Sequence, residues 1–165
     1  MDVITNKKPS LFFVYGCGGT GKTYLYRTLL AVVRSKKKIA FAVTLSGIAS
    51  LLLLGGRIAH SRFKIPINIT KTSVCDIKPS TQAAELMLTT ELIIWDEAPM
   101  THRYYFEAVD RTLKDLTHHM DSKNEHCPFG GKFVVLGGDF HQILPIVHKG
   151  KREEIVVAVL NKPYL

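Results

Sequence analysis

Cysteine is scarce in this chain of 165 residues. Cys17, Cys75 and Cys127 are odd in number and far apart, so neither a disulfide framework nor a CxxC motif is available. Long apolar runs are missing too. The longest, Ile48 to Leu54, covers seven residues and includes Ala49 and Ser50, too short to span a bilayer. Near the start, Lys7 and Lys8 precede only five apolar residues, Leu11 to Tyr15, before a glycine cluster, which is no secretory signal. Acidic residues are nearly absent from the first 80 positions, which hold 2 Asp/Glu against 13 Lys/Arg, whereas the remainder holds 12 against 9. These absences point to a soluble intracellular domain with no membrane partner. The basic half suits a polyanion, and the acidic half suits metal or carboxylate chemistry. His118, His119, His126 and Cys127 match no common zinc spacing and read as part of a polar loop.

What is present is an alternation of strand and helix patterns, with 46% apolar residues to fill one core. Leu11–Tyr15, Ile39–Leu45, Leu92–Trp95 and Phe133–Leu136 read as buried strands, and Ile155–Leu160 is a fifth apolar run. Helical spacing covers Lys22 to Arg34, with Leu25, Leu29, Val32 and Val33 as its apolar positions. Shorter helices are expected over Ser46–Leu54 and Ser80–Thr89. Thr101 could cap another, with Phe106, Val109, Leu113 and Leu116 on its buried face. Residues 55–78 read as irregular and basic, and 117–131 as a polar loop. The fold class expected is α/β, a P-loop NTPase (RecA-like) parallel sheet with helices on both faces. Residues 1–10 would be a tail and 11–165 the domain.

Three segments carry chemistry. Gly16-Cys17-Gly18-Gly19-Thr20-Gly21-Lys22-Thr23 fits GxxxxGK[ST] between a strand and a helix, the context the motif requires. The nucleotide-binding residues are then Gly16, Gly18, Gly19, Thr20, Gly21, Lys22 and Thr23. Lys22 would reach the β- and γ-phosphates of ATP, and Thr23 would ligate Mg²⁺. Leu92-Ile93-Ile94-Trp95-Asp96-Glu97 is an apolar strand ending in two carboxylates, where Asp96 suits the Mg²⁺ ion and Glu97 suits activation of a water. After the strand Phe133–Leu136 come Gly137-Gly138-Asp139-Phe140-His141-Gln142. There Gln142 is a candidate sensor of the terminal phosphate, and Asp139 a candidate orienter of the neighbouring loop. Lys22, Glu97 and Gln142 are the catalytic candidates.

Taken together, GCGGTGKT, TLSGIASLLLLGGRIAHSRFKIPI, LIIWDEAPM and GGKFVVLGGDFHQILPIV resemble, in that order, the Pif-type (petite integration frequency) DNA helicases of superfamily one. The resemblance is to their first motor domain and spans roughly residues 11–165. It implies ATP-driven 5′-to-3′ unwinding of DNA, used in repair, recombination and telomere maintenance, in the nucleus or the mitochondrion. It also implies that Thr44, Ser46 and Gly47 grip single-stranded DNA, with a second contact around His60-Ser61. Ser and Thr hydroxyls can meet phosphate oxygens without reading sequence. The stretch that follows adds Arg57, Arg62 and Lys64 as positive charge, with Phe63 as an aromatic for base stacking. Where the family usually has Arg before the Gln of GGDFRQ, this chain has His141, which lacks the permanent charge of a guanidinium. The resemblance further implies a second RecA-like domain, bearing an arginine finger, as a partner that completes the site. A chain limited to the first domain would be a fragment with weak activity of its own. Two other readings stay open: another P-loop ATPase of the AAA type, and a non-catalytic nucleic-acid-binding remnant. A nucleotide kinase fits less well, because Glu97 would place a base beside the γ-phosphate.

Overall fold

The computed structural model describes residues 10–141 and Ala158. Four of the apolar runs become strands of one parallel sheet: β1 (Ser10–Tyr15), β2 (Ile39–Thr44), β4 (Thr90–Trp95) and β5 (Phe133–Gly138). A two-residue strand, β3 (Arg57–Ile58), completes the order β1-β5-β4-β2-β3. Every pairing among the described residues is parallel, so these strands finish along one edge. The register carries β1 against β5 from Ser10 opposite Phe133 to Tyr15 opposite Gly138. That edge is where an open α/β sheet gathers its ligand crevice.

Side chains alternate across the pleat and divide the core in two. One face holds Ala40, Ala42, Leu92, Ile94 and Val135, covered by α1 (Lys22–Ser35) through Tyr26, Leu30 and Val33. The other holds Phe41, Val43, Ile93, Trp95, Val134 and Leu136. Against it pack α3 (Ala59–Phe63), α4 (Gln82–Thr89) and α5 (Arg103–His118). A short helix, α2 (Gly47–Leu51), sits at the strand-end edge after β2. Helices on both faces are as expected. The Phe63 ring stacks on Trp95 at a centroid distance of 5.3 Å, and Phe106 meets Trp95 tilted by 41° at 4.4 Å. Each fully buried ring of this kind stabilises the fold by about 1.5–3 kcal/mol relative to exposure.

Several local expectations shift. The buried stripe of α1 is Tyr26, Leu30 and Val33, one position along from Leu25 and Leu29, and Leu25 is exposed. The stripe turns because Tyr26 lies under β5, where Gly137 leaves room. A Cβ on Gly137 would stand 1.6 Å from the Tyr26 hydroxyl. The helix expected over Ser46–Leu54 ends at Leu51, and turns fill the rest. Residues 55–78 are not wholly irregular, since β3 and α3 lie within them. The later part is pinned by Cys75 N–H donating to Thr112 Oγ1 (2.9 Å) and by Arg111 donating to Ser73 O. Thr101 does not cap α5. Its side chain is buried with its hydroxyl on Glu97 O (3.4 Å), and His102 Nδ1 accepts from Tyr104 N–H instead. The polar loop 117–131 contains two 3₁₀ turns, Ser122–His126 and Pro128–Gly131. Asp110 anchors it by accepting from Phe129 N–H (2.6 Å), which sinks the Phe129 ring into the core. Ile155–Leu160 lies outside the described residues apart from Ala158, which is helical and buried.

Candidate active site and strand-facing surface

The phosphate loop leaves β1 and enters α1. Gly16 N–H donates to Gly138 O (3.3 Å), which ties the loop to the end of β5. Gly19 and Gly21 take φ of +79° and +88°, left-handed values that L side chains resist. Gly21 is the N-cap of α1 and supplies no side chain to its first turn, so that turn's N–H groups carry the positive end of a 14-residue helix. The Lys22 ammonium folds back over the loop and donates to the carbonyls of Gly16 and Cys17. Thr20 Oγ1 closes the loop onto Cys17 O at 2.8 Å. An ammonium held over a glycine-rich loop at a helix N-terminus is a cradle for an oxyanion.

Two strands away, β4 ends in Asp96. Its backbone N–H donates to Val43 O (2.9 Å), and its Oδ1 accepts from Glu97 N–H (2.9 Å). Burial pushes the Asp96 carboxyl above its ordinary value. The Glu97 N–H and Lys22 act in the opposite sense, while the Glu97 charge adds to the rise. The Tyr26 hydroxyl faces the same carboxylate without closing a well-formed hydrogen bond, and burial followed by the Asp96 charge drives the phenol well up. Tyr26 therefore stays protonated. Glu97 takes the left-handed conformation (φ +58°) that few non-glycine residues adopt, and its Oε2 accepts from Ser46 N–H at 3.2 Å. Gly18, Gly19, Gly21, Lys22, Thr23, Asp96, Glu97 and Gly138 line one cavity of about 410 Å³, together with Ala49 and Leu52 of the α2 region.

The residues present fit a magnesium-bound nucleotide. The left-handed glycines and the folded-back Lys22 make an anion cradle, and Asp96 is a desolvated carboxylate facing it across the cavity. Lys22 would hold the phosphates, and Thr23 and Asp96 the cation. Asp139 is buried, and its Oδ1 accepts from His141 N–H (2.9 Å), which orients the start of the following loop. Gln142 lies outside the described residues.

The candidate strand-gripping residues separate by depth. Ser46 and Gly47 are exposed at the start of α2, and Ser46 Oγ accepts from Ala49 N–H. Thr44 lies beneath this surface, fully buried, with its hydroxyl donating to Ser46 O at 2.7 Å. It shapes the turn from below. Arg57 and Ser61 are exposed. His60 packs edge-on against Tyr105 at 4.6 Å, and burial lowers its pKa, so it is neutral at pH 7. Arg62 is half-buried over the Phe41 ring (4.9 Å), with its Nε enclosed. Phe63, expected as a stacking aromatic for bases, is a correction: its ring is 1% exposed and stacks on Trp95, because α3 turns that side inward.

Sequence reasoning missed Arg27 and Arg34. Arg27 donates to Leu52 O (2.6 and 2.9 Å), and Arg34 to Leu54 O and Ala40 O, strapping the turn after α2 onto α1. Their spacing of seven, two helical turns, was the available signal. Tyr26 was missed as well, four residues after Lys22 on the same helix face.

The family model of the PIF1-like helicases matches residues 1–165. A Pif1 ATP-dependent DNA helicase of Campylobacter jejuni is 33% identical over 87% of this chain and 30% of its own length. The PIF1 helicase of Candida albicans is 30% identical over 85% of this chain and 15% of its own. Among solved structures, the Bacteroides Pif1 helicase in complex with ADP-AlF3 and ssDNA superposes with a TM-score of 0.74. It is 32% identical, over 94% of this chain and 34% of that one. The chain thus spans between 15% and 34% of the length of these relatives.

Proposed function

The chain belongs to the PIF1-like helicase family, and from that membership we propose that it is the first RecA-like motor unit of an ATP-dependent DNA helicase, binding and hydrolysing MgATP while gripping single-stranded DNA. The observation that carries this reading is the single cavity shared by the phosphate loop and the Asp96-Glu97 strand end. When bound, magnesium would neutralise charge developing on the phosphates. Lys22 and the loop N–H groups bind the phosphates, Thr23 and Asp96 hold the cation, and Glu97 takes the proton of the attacking water. Gln142 is proposed as the sensor of the terminal phosphate. The exposed groups of Ser46, Gly47, Arg57 and Ser61 meet the strand, with Thr44, His60 and Arg62 behind them. The strand direction, 5′-to-3′, and a role in repair, recombination and telomere maintenance follow from the family resemblance, as does a second RecA-like unit that brings an arginine finger to this cavity. Such a finger is worth about 10³–10⁵ in rate in related phosphate-loop enzymes, so this unit by itself should turn over slowly.

Fluorescent-nucleotide titration tests the reading directly. Lys22→Ala should weaken nucleotide binding at least about 100-fold, the loss of charge-assisted bonds to phosphate, while oligothymidylate affinity stays within a factor of about two. Equal nucleotide binding by both proteins would sink the assignment. Oligothymidylate binding should also weaken steeply with salt, and Arg57→Ala should reduce that slope by about 0.7.

A further inference from the structure

The hydrogen bond from Ser46 N–H to Glu97 Oε2 joins residues 51 positions apart and bridges two tasks assigned above. Glu97 borders the nucleotide cavity, and Ser46 stands on the surface proposed to meet the strand. We propose that this bond is the link through which DNA governs hydrolysis. In the DNA-free chain the Ser46 main chain holds the Glu97 carboxylate against the β2–α2 turn. A strand seated on Ser46 and Gly47 shifts that turn and releases the carboxylate to the attacking water. Ser46 is in this sense a positioning residue, and the inference rests on the ATPase reading of the same cavity.

Both ends of the link have limited freedom. On the Glu97 side, the left-handed backbone is fixed by its N–H on Asp96 Oδ1 and by its carbonyl, which accepts from Met100 N–H (3.1 Å). Only the side chain is then free to move. On the Ser46 side, Thr44 Oγ1 grips the Ser46 carbonyl from below, and Ser46 Oγ accepts from Ala49 N–H. The turn therefore moves as a unit, and displacement of Ser46 or Gly47 carries the N–H with it. Between these supports, the 3.2 Å contact is the element the proposal takes to open when the strand binds.

Two measurements on the full chain test the link. The first follows the Ser46 amide by ¹H–¹⁵N NMR. Glu97→Ala should move that resonance upfield in the DNA-free protein by removing a charged acceptor. With saturating oligothymidylate, wild type and Glu97→Ala should give the same Ser46 shift. A Ser46 amide indifferent to Glu97→Ala, or a difference that persists with DNA bound, overturns the proposal. The second replaces the Ser46 peptide N–H by an ester oxygen, introduced as the α-hydroxy analogue of serine. Turnover without DNA should then rise by about tenfold, the scale of one charge-assisted hydrogen bond, and stimulation by oligothymidylate should fall toward unity, with nucleotide affinity unchanged. A folded ester protein that keeps the wild-type stimulation ratio also overturns it. A wild-type chain that binds DNA but shows no Lys22-dependent turnover counts against the ATPase reading, and the amide shifts then decide on the link alone.

Discussion

Among the described residues, one helix, α1, lies over Ala40, Ala42 and Val135 on one face of the sheet. On the other, Phe41 and Trp95 meet Phe63 and Phe106 from helices that arrive later in the chain. The aromatic face holds large rings buried to 4% exposure or less, and its stability comes from apolar burial. The α1 face is thinner and contains a polar contact, the Tyr26 hydroxyl beside Asp96, reached through the gap that Gly137 leaves. The same strands therefore serve two ends. Bulk behind the sheet fixes the strand ends in place, and small residues in front let the phosphate-loop helix approach the carboxylate.

Substitutions on each face should separate these roles. Phe106→Ala, on the aromatic face, should cost about 3–5 kcal/mol of stability in urea unfolding, and nucleotide affinity should survive wherever the protein remains folded. Gly137→Ala, on the thin face, should cost about 1–3 kcal/mol by overpacking and should weaken nucleotide binding too, since Tyr26 must move from beneath Asp96. Adding Tyr26→Phe should recover part of both losses, because the hydroxyl is the atom nearest the new methyl. Strict additivity of those two changes would break the comparison.

The smallest effect belongs to Asp96→Asn. Burial raises the folded carboxyl above the ordinary value of 3.8, so the folded chain holds that proton more tightly than the unfolded chain. Stability from this group therefore falls as pH rises from 3.8 through the folded value, and above that window the ionised carboxylate is a standing cost. Asp96→Asn should raise the magnesium-free Tm at neutral pH by about 2 °C and flatten that part of the pH profile. Magnesium-dependent nucleotide binding should weaken in the same variant. A lower Tm would show that the carboxylate supports the fold rather than burdening it.

The parallel sheet and its carboxylate-ended strand were legible because four apolar runs each stop at glycine, serine or charge, a purely local pattern. The phosphate loop was legible for the same reason. Depth was not. Arg62 and Phe63 sit in a short basic stretch that reads as surface, yet α3 turns Phe63 into the core and draws Arg62 over Phe41. Strand β3 escaped notice because two residues carry no period. The Tyr26 stripe was misjudged by one position, since the space that selects it belongs to Gly137, more than a hundred residues later in the chain. Nothing local to Glu97 or Ser46 announces their hydrogen bond, which exists only because β2 and β4 are neighbours.

Trp95 is the only tryptophan in the chain, and it immediately precedes Asp96. With its indole fully enclosed between Phe63 and Phe106, its emission should be blue-shifted in the folded protein and move to the red only when the aromatic face opens. The protein thus carries its own optical gauge. An emission change on adding nucleotide would report strain passed one residue back along β4, with no attached dye needed.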